Sequence, residues 1–410
     1  MFGRFLLFNR FLAFILLGAI NSLCSCSVLD IMQIEPSISV SPILSFQSEA
    51  DSINAYCAGK DFSSQIQETI TDFIKEGDLM AHVSSFCIID DIVYMTYYAN
   101  RVSAGEEPKE HIARFVICPL NNPHSKTYYD LQGAVSSGLP EYATRYDGKK
   151  VTELYDTILL RKDDDNIFIM WTAALDGVYT RLYQVYNIPT KSLSPINYNY
   201  FSLGSAKKIM STTEIEAVLN LNNVIHKPLS IDIGIMQKLT IRKENGITYY
   251  YTGCYANKFN CIIKSKDLIT WEYVSTPSFN NESQFENATY VIGNIAYYFC
   301  RQEPTTGYGF LTSYDIIADK WAAPILVNDA QSRSDFIEYQ GSLYLIHAPI
   351  DRYHLGVIKV DTNNINLSKE MLVADVPNYF YPFSQVYKND LYISFTQSRQ
   401  HIYLSKVSLP

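Results

Sequence analysis

The sequence predicts an all-β fold, a six-bladed β-propeller with short helical insertions, from three observations. The 410 residues include 32 Tyr and 21 Phe but only 3 Trp, and aromatic side chains favour half-buried strands. One hairpin pattern recurs six times along the chain, and each copy begins with a polar residue. Radial repetition of such hairpins is typical of propellers because it leaves only short, protected strand edges.

The composition excludes two broad classes of protein. Hydrophobic residues make up 47% of the chain and charged residues 18%, whereas disordered chains are poor in aromatic residues and rich in charge. The 33 basic and 42 acidic residues give a formal net charge of −9, and a nucleic-acid partner would require a basic surface. No Cys-x-x-Cys or clustered His/Cys spacing indicates zinc, and we expect neither metal nor cofactor.

The N-terminal residues resemble a bacterial lipoprotein signal. Arg4 and Arg10 supply positive charge, and residues 11–20 form an apolar run that is too short to span a bilayer comfortably. Leu23 lies three residues before Cys26. We therefore expect cleavage before Cys26 and a lipid on its thiol, which would anchor an exported protein in the bacterial cell envelope, periplasmic or at the cell surface. Ordinary signal cleavage nearby is the alternative.

Each of the six repeats has a polar head, a first strand of about seven residues, a polar turn and an aromatic second strand. The heads are His82, Asp156, Gln237, Glu286, Arg333 and Tyr381. Their spacings are 74, 81, 49, 47 and 48 residues, and the three short ones suit a four-stranded blade of about 40–50 residues. Asp90-Asp91, Asn245-Gly246 and Asn389-Asp390 are among the turns, and these residues tolerate positive φ.

The long spacings require insertions, and two helices are predicted outside the blades. Residues 101–150 supply one insertion and residues 203–230 the other, where Ser211–Glu214 is typical of a capping box. The second predicted helix covers residues 63–75, with Ile66, Ile70, Phe73 and Ile74 on one face. The chain thus divides into a signal (1–25), a tether with a helix and a ring-closing strand (26–78), and the propeller (79–410).

The polar heads are candidate site residues because they fall on one column of the repeat. A column buried inside a blade should be apolar, whereas a column around a water-filled mouth can be polar and bind a ligand. The alternative is that the heads fill the channel as ion pairs, for example Glu286 with Arg333. Tyr97, Tyr98 and Tyr255 end second strands and could stack on a sugar ring.

The later blades resemble the sialidase (neuraminidase) superfamily, in particular its bacterial members with BNR-type repeats. The resemblance covers roughly residues 80–408 and is strongest after about residue 230. It rests on Ser265–Trp271, which is similar to the Asp box without its glycine, on a second copy at Ser313–Asp315 with Lys320–Trp321, on Glu286 with Cys300–Glu303, on Ser332–Asp335 with Asp351 and Arg352, and on Tyr381-Pro382 with Arg399.

The resemblance implies a glycoside hydrolase that acts on an acidic sugar at the centre of the propeller. Tyr381 matches the nucleophile, with Tyr379 as a competitor, and Glu286 matches its base. Arg301 and Arg352 match two of the three arginines that bind the substrate carboxylate, since a guanidinium matches a carboxylate with two hydrogen bonds. The remaining predicted substrate contacts are Arg333, Asp335, Gln237 and Arg399.

Two positions depart from the family pattern and leave alternatives open. The family's first blade opens with Arg-Ile-Pro, where this chain has His82-Val-Ser. The catalytic acid has no clear match, and Asp156 or Asp232 could serve. A non-catalytic glycan-binding lipoprotein therefore remains a second hypothesis. A uronate polysaccharide lyase with His82 and Tyr381 as base and acid is the third.

Cysteine pairing is also left open by the sequence. Cys254 and Cys261 flank a predicted hairpin turn and could pair in an exported protein. Free cysteines in apolar strands more often behave as small buried hydrophobes.

Overall fold

The computed structural model describes residues 60–225, 229–234, 238–257, 259–277, 284–302, 308–328, 332–349, 354–373 and 379–409. Strands in these ranges form six mainly antiparallel sheets. The sheets succeed one another along the chain and pack around a common centre, so the six-bladed β-propeller predicted from the sequence is confirmed. Within the described ranges, no helix has both the length and the apolar character needed to cross a membrane. Cys26 lies outside them.

The strands follow the predicted repeat. The N-terminal strands and those of blades 1 and 2 are β1 (Lys60–Asp61), β2 (Ile66–Asp72), β3 (Met80–Ile89), β4 (Ile92–Asn100), β5 (Ile112–Pro119), β6 (Thr127–Gly133), β7 (Arg145–Tyr146), β8 (Lys149–Arg161), β9 (Asn166–Leu175), β10 (Val178–Asn187), β11 (Ser192–Leu193) and β12 (Asn197–Tyr198). Blade 3 contains β13 (Tyr200–Leu203), β14 (Ala206–Ile209), β15 (Ser230–Gly234), β16 (Thr240–Glu244), β17 (Ile247–Asn257), β18 (Phe259–Ser265) and β19 (Thr270–Ser275).

The last three blades are more regular. Blades 4 to 6 contain β20 (Gln284–Ile292), β21 (Ile295–Gln302), β22 (Tyr308–Asp315), β23 (Lys320–Trp321), β24 (Ile325–Asn328), β25 (Asp335–Tyr339), β26 (Ser342–His347), β27 (Gly356–Val360), β28 (Lys369–Val373), β29 (Tyr379–Tyr387), β30 (Asp390–Gln397) and β31 (His401–Val407). Short 3₁₀ helices cover Phe62–Gln65, Pro108–Glu110, Glu141–Thr144 and Ile365–Leu367.

The hairpin turns form where the sequence places them. Asp90 and Asp91 have φ of 48° and 60°, and Asn245 and Gly246 have 50° and 82°. Two successive left-handed residues are what a tight turn between right-twisted strands requires. Each turn therefore joins the first and second strands of its blade and fixes their register.

The turn at Ser265–Trp271 joins the third and fourth strands of blade 3. The Asp267 carboxylate accepts hydrogen bonds from the backbone N–H groups of Ile269 and Thr270, both at 2.8 Å. Leu268 takes the left-handed conformation, with φ 64°, and Trp271 is fully buried. Asp315 makes equivalent contacts with two backbone N–H groups in blade 4.

The predicted helix over 63–75 is wrong, because this segment forms strand β2. It pairs antiparallel with β31 and becomes the outermost strand of blade 6. The free edge of β31 would otherwise expose unpaired backbone groups. β-branched residues such as Ile66, Thr69 and Ile70 favour this extended state. The ring-closing strand thus exists, but it lies where the helix was expected.

The helix predicted from the capping box at Ser211–Glu214 is confirmed as α1 (Thr212–Leu221). The Ser211 hydroxyl accepts a hydrogen bond from the backbone N–H of Glu214 at 3.4 Å, which is the contact expected of an N-cap. Ile215, Val218 and Leu219 are buried. The helix therefore covers blades 2 and 3 without entering the ring.

Apolar faces of adjacent blades pack together, and the five cysteines of the described residues are buried. Trp171 and Trp271 are fully buried. Cys254 and Cys261 are directly opposite each other on β17 and β18, yet both are free thiols. Burial raises the pKa of the Cys261 thiol well above its ordinary value, so both cysteines pack as small hydrophobes.

Candidate active site

The polar heads in four blades sit at irregularities of the first strand. The pairing register shifts between residues 82 and 85, 155 and 158, 284 and 287, and 380 and 383. Val83, Asp156 and Tyr381 have positive φ of 58°, 48° and 58°. A bulge re-aims a side chain, and such strain is maintained where surrounding structure holds it, often at functional sites. The bulges therefore turn the heads away from the blade cores and toward the centre.

Tyr381, Glu286 and Arg301 form one buried hydrogen-bonded cluster. The Tyr381 hydroxyl donates to the Glu286 carboxylate at 3.1 Å, and Arg301 donates to the Tyr381 oxygen at 3.3 Å. Arg301 also forms an ion pair with Glu286. All three residues are less than 10% exposed. A tyrosine hydroxyl is thus held against a carboxylate that can accept its proton.

Arg333 lies against the ring of the same tyrosine. Its guanidinium carbon is 5.7 Å from the centre of the Tyr381 ring, and the residue is 2% exposed. Its Nε and Nη2 atoms have no hydrogen-bond partner among the described residues. The alternative ion pair of Glu286 with Arg333 is absent from the described contacts, in which Glu286 pairs with Arg301. Burying a cation without a charged partner costs free energy. Such a guanidinium is suited to binding an anionic ligand.

The His82 ring packs against the Tyr381 ring. The two ring centres are 4.2 Å apart, with an interplanar angle of 54°. The His82 Nδ1 atom lies 3.1 Å from the Thr396 hydroxyl. The imidazole is thereby fixed between blade 1 and blade 6.

Asp156 and Arg399 belong to two further groups near the centre. Tyr255 donates its hydroxyl proton to the Asp156 carboxylate at 2.7 Å, and both residues are at most 5% exposed. Arg399 forms an ion pair with Glu106 at 2.9 Å. Tyr98 donates to the other oxygen of Glu106 at 2.5 Å.

Glu106 is a candidate site residue that sequence reasoning missed. It lies in the loop between β4 and β5, within the charged insertion, where no repeat position marks it. Tyr98, which the sequence predicted as a sugar-stacking residue, pairs directly opposite His82. Burial, followed by the charges of Glu106 and Tyr381, raises the pKa of Tyr98 well above 10. Tyr97, by contrast, donates to the Phe73 carbonyl at 2.9 Å and has a packing role.

Asp335 is held in a different buried pair, on the axis side of blade 5. Lys238 lies 2.7 Å from its carboxylate, and the Ser384 hydroxyl donates to the same oxygen at 2.6 Å. Burial raises the pKa of Asp335 and lowers that of Lys238. This contact ties blades 3, 5 and 6 together, and it engages Asp335 away from the Tyr381 cluster.

Three predicted positions are not described by the structure. Gln237 and Arg352 lie outside the described residues, as does the side chain of Asp232. Among the described residues, no group of three or more His, Cys, Asp or Glu side chains is arranged to hold a metal ion.

Several solved structures resemble this chain in fold. A Hadza microbial sialidase matches with a TM-score of 0.56 at 11% identity, covering 82% of this chain and 66% of that one. The Trypanosoma rangeli sialidase in complex with the inhibitor DANA gives a TM-score of 0.53 at 9% identity, covering 85% and 58%. The intramolecular trans-sialidase from Ruminococcus gnavus gives 0.52 at 12% identity, covering 82% and 96%.

The fold is a sialidase-like β-propeller. A protein of unknown function from Dyadobacter fermentans shares it, with a TM-score of 0.56 at 11% identity and coverage of 84% and 99%. No protein-family model matches the chain, and no curated protein matches its sequence. At such identities the likeness establishes the architecture, and the activity has to be argued from the residues of the sialidase-like propeller itself.

Proposed function

We propose that the protein is a sialidase-like glycoside hydrolase that acts on an acidic sugar at the centre of its propeller. The hydrogen bond from the Tyr381 hydroxyl to Glu286 carries this proposal. A neutral nucleophile with a neighbouring base avoids repulsion from a substrate that bears a carboxylate beside its anomeric carbon. Tyrosine nucleophiles are the sialidase exception to the two-carboxylate rule.

The reaction would proceed in two steps. Tyr381 oxygen forms a bond to the anomeric carbon as its proton moves to Glu286 and the glycosidic C–O bond breaks. A second carboxyl group protonates the leaving oxygen and then activates the water that releases the sugar. Asp156, a candidate acid predicted from the sequence, and Glu106 are the described carboxyl groups that could take this role.

The acidic group of the substrate would bind to arginine. Arg333 offers a buried guanidinium without a described partner, and Arg301 already contacts the nucleophile. The solved structures that share the fold include sialidases crystallised with DANA and with oseltamivir carboxylate, which supports a glycan of this class as ligand. We propose further that the protein is exported and anchored through Cys26, on the strength of its N-terminal residues alone.

Replacement of Tyr381 by Phe tests the hydrolase. The variant loses the nucleophile but keeps the ring contacts with His82 and Arg333, so we expect loss of turnover by about 100-fold or more with unchanged folding. The measurement is release of 4-methylumbelliferone from conjugates of acidic sugars, with circular dichroism as the folding control. Tyr379→Phe is the matched control and should retain activity.

Each alternative function predicts a different experimental result. A product that absorbs in the ultraviolet through a new double bond would indicate a lyase instead. Binding of an acidic oligosaccharide without any turnover would indicate a glycan-binding protein. Turnover retained in Tyr381→Phe and lost in Tyr379→Phe would assign the nucleophile to the other tyrosine.

A further inference from the structure

Ser384 is held by two charged side chains from other blades. Its backbone N–H and its hydroxyl donate to the Asp335 carboxylate at 2.7 and 2.6 Å. Its carbonyl and its hydroxyl oxygen accept hydrogen bonds from the Lys238 ammonium at 2.6 and 2.9 Å. Lys238 and Asp335 also form an ion pair with each other at 2.7 Å. We call these three residues the Ser384 clamp.

The Ser384 clamp links blades across the centre of the propeller. Lys238 lies just before β16 of blade 3, Asp335 begins β25 of blade 5, and Ser384 lies on β29 of blade 6. Blades 3 and 6 are on opposite sides of a ring of six, so Lys238 reaches across the central axis. Strand β29 ends its sheet and has a strand partner on one side only. The clamp thus supplies hydrogen bonds that a second neighbouring strand would otherwise supply.

The Ser384 clamp lies three residues after Tyr381, directly beyond the bulge in β29. The pairing register with β30 shifts between residues 380 and 383, and Tyr381 has a φ of 58°. Bulky side chains rarely adopt this conformation, and Pro382 favours an extended backbone at the residue before it. Such a conformation persists only where the surrounding structure determines it. The contacts of Ser384 fix the main chain at one end of this bulge.

The contacts described above for Tyr381 act on its side chain. Its ring packs against His82 at 4.2 Å, and its hydroxyl bonds to Glu286 at 3.1 Å. A shift of the main chain would move the whole ring relative to both partners. Displacement of a reacting group by about 1 Å can cost about 100-fold in rate. The backbone that carries Tyr381 therefore has to be fixed as firmly as its hydroxyl.

We propose that Lys238 and Asp335 are positioning residues, which hold the Tyr381 hydroxyl against Glu286 through the backbone of Ser384. The inference rests on the proposed function, since it concerns how the same nucleophile is held. It gives Asp335 a role in place of the substrate contact predicted from the sequence. A clamp that only stabilised the fold would leave the position of Tyr381 unchanged when removed.

Replacing both charged residues together tests the proposal without leaving an unpaired charge in the core. Lys238→Met with Asp335→Leu keeps similar volumes, and proteins often tolerate such replacement of a buried ion pair. Because the Ser384 backbone loses both partners, kcat should fall about 10- to 100-fold while KM stays within about twofold. The substrate is the 4-methylumbelliferyl conjugate of N-acetylneuraminic acid. Lys238→Met with Asp335→Asn restores an acceptor for the Ser384 N–H and should recover part of the lost kcat.

The buried pair of Arg114 with Asp78 provides the matched control. Both side chains are 1% exposed, and Nε of Arg114 donates to the Asp78 carboxylate at 3.1 Å. Arg114→Met with Asp78→Leu removes this pair from blade 1, and Lys75 remains to pair with Asp130. Its kcat should equal that of the wild type, with urea unfolding as the measure of stability. An equal fall of kcat in both double variants would indicate general destabilisation and overturn the proposal.

Crystal structures of the wild type and of Lys238→Met with Asp335→Leu give a result that does not depend on activity. In the variant, the distance from the Tyr381 hydroxyl to Glu286 should increase from 3.1 Å to beyond about 3.5 Å. A Tyr381 hydroxyl that stays bonded to Glu286 overturns the proposal, whether or not the protein hydrolyses sugars. A displaced Tyr381 in a protein that hydrolyses no acidic sugar supports the clamp and removes the hydrolase proposal.

The milder double variant keeps the test decisive if the apolar one does not fold. Lys238→Met with Asp335→Asn removes the two hydrogen bonds from Lys238 to Ser384, so kcat should still fall about threefold or more. Wild-type kcat together with an unmoved Tyr381 in this folded variant contradicts the proposal.

Discussion

At the scale of single residues, Arg333 shows a conflict between stability and binding. A guanidinium that is 2% exposed has lost most of its hydration. Among the described contacts, the interaction that offsets this loss is a cation–π contact with the Tyr381 ring, at 5.7 Å. A cation–π contact of this kind offsets about 0.5–2 kcal/mol, which is less than the cost of burying an unpaired charge. The fold maintains Arg333 at the expense of its own stability.

We therefore expect Arg333→Met to stabilise the fold while it removes affinity for acidic sugars. The apolar side chain fills the same space without a desolvation cost, so the free energy of unfolding should rise by about 1–3 kcal/mol. Urea unfolding and DANA titration measure the two effects. Arg145→Met is the matched control, because Arg145 is a surface residue paired with Glu141 and should change neither quantity appreciably. A destabilised Arg333→Met variant would mean that the guanidinium is paired in solution.

At the scale of elements, the irregular first strands separate the site from the blade cores. In a regular strand, successive side chains alternate between the two faces, and the register shift at residues 380–383 interrupts that alternation. Tyr381 therefore leaves the packed faces of blade 6 and reaches Glu286 on blade 4. Strand β2 is the second element on which the ring depends, because this N-terminal strand pairs with β31 and completes blade 6.

Phe73, directly after β2, anchors this closing strand. Its side chain is fully buried, its N–H donates to Ile402 and its carbonyl accepts from Tyr97. Phe73→Ala should lower the free energy of unfolding by about 3–5 kcal/mol, because it leaves a cavity in the core. Glu68→Ala, an exposed change on the same strand, is the control for urea unfolding. A loss below about 1 kcal/mol would show that β2 contributes little to ring closure.

At the scale of the whole molecule, the ring brings together residues that lie far apart in the chain. Tyr381 contacts Glu286 95 residues away and meets His82 across the junction of the first and last blades. Opening this junction would separate Tyr381 from His82. The integrity of the ring and the geometry of the site are therefore coupled.

The proposed membrane anchor can be tested by substituting the cysteine that would carry the lipid. We expect Cys26→Ser to move the protein from the membrane fraction to the soluble fraction in a bacterial host, because the thiol that would carry the lipid is lost. Cell fractionation with immunoblotting measures this. Cys24→Ser is the matched control and should stay with the membrane. Membrane association retained in Cys26→Ser would refute anchoring at this residue.

The repeat and the family resemblance identified much of the site from the sequence, and the exceptions have physical reasons. Tyr381, Glu286, Arg301, Arg333 and His82 were all identified from the sequence and are brought together. Glu106 was not, because it lies in an insertion whose path depends on contacts with other blades. The segment that became β2 has apolar spacings compatible with either a helix or a strand.

The sequence by itself determined the six hairpins, their turns and the polar heads, because alternation and turn chemistry are local properties of the chain. Only the tertiary structure decided which charges pair. Arg301 forms the ion pair with Glu286, whereas Nε and Nη2 of Arg333 have no hydrogen-bond partner among the described residues. The choice of partner depends on distances across the ring. The same is true of β2, because an open strand edge supplied by residues more than 300 positions away favours the extended state.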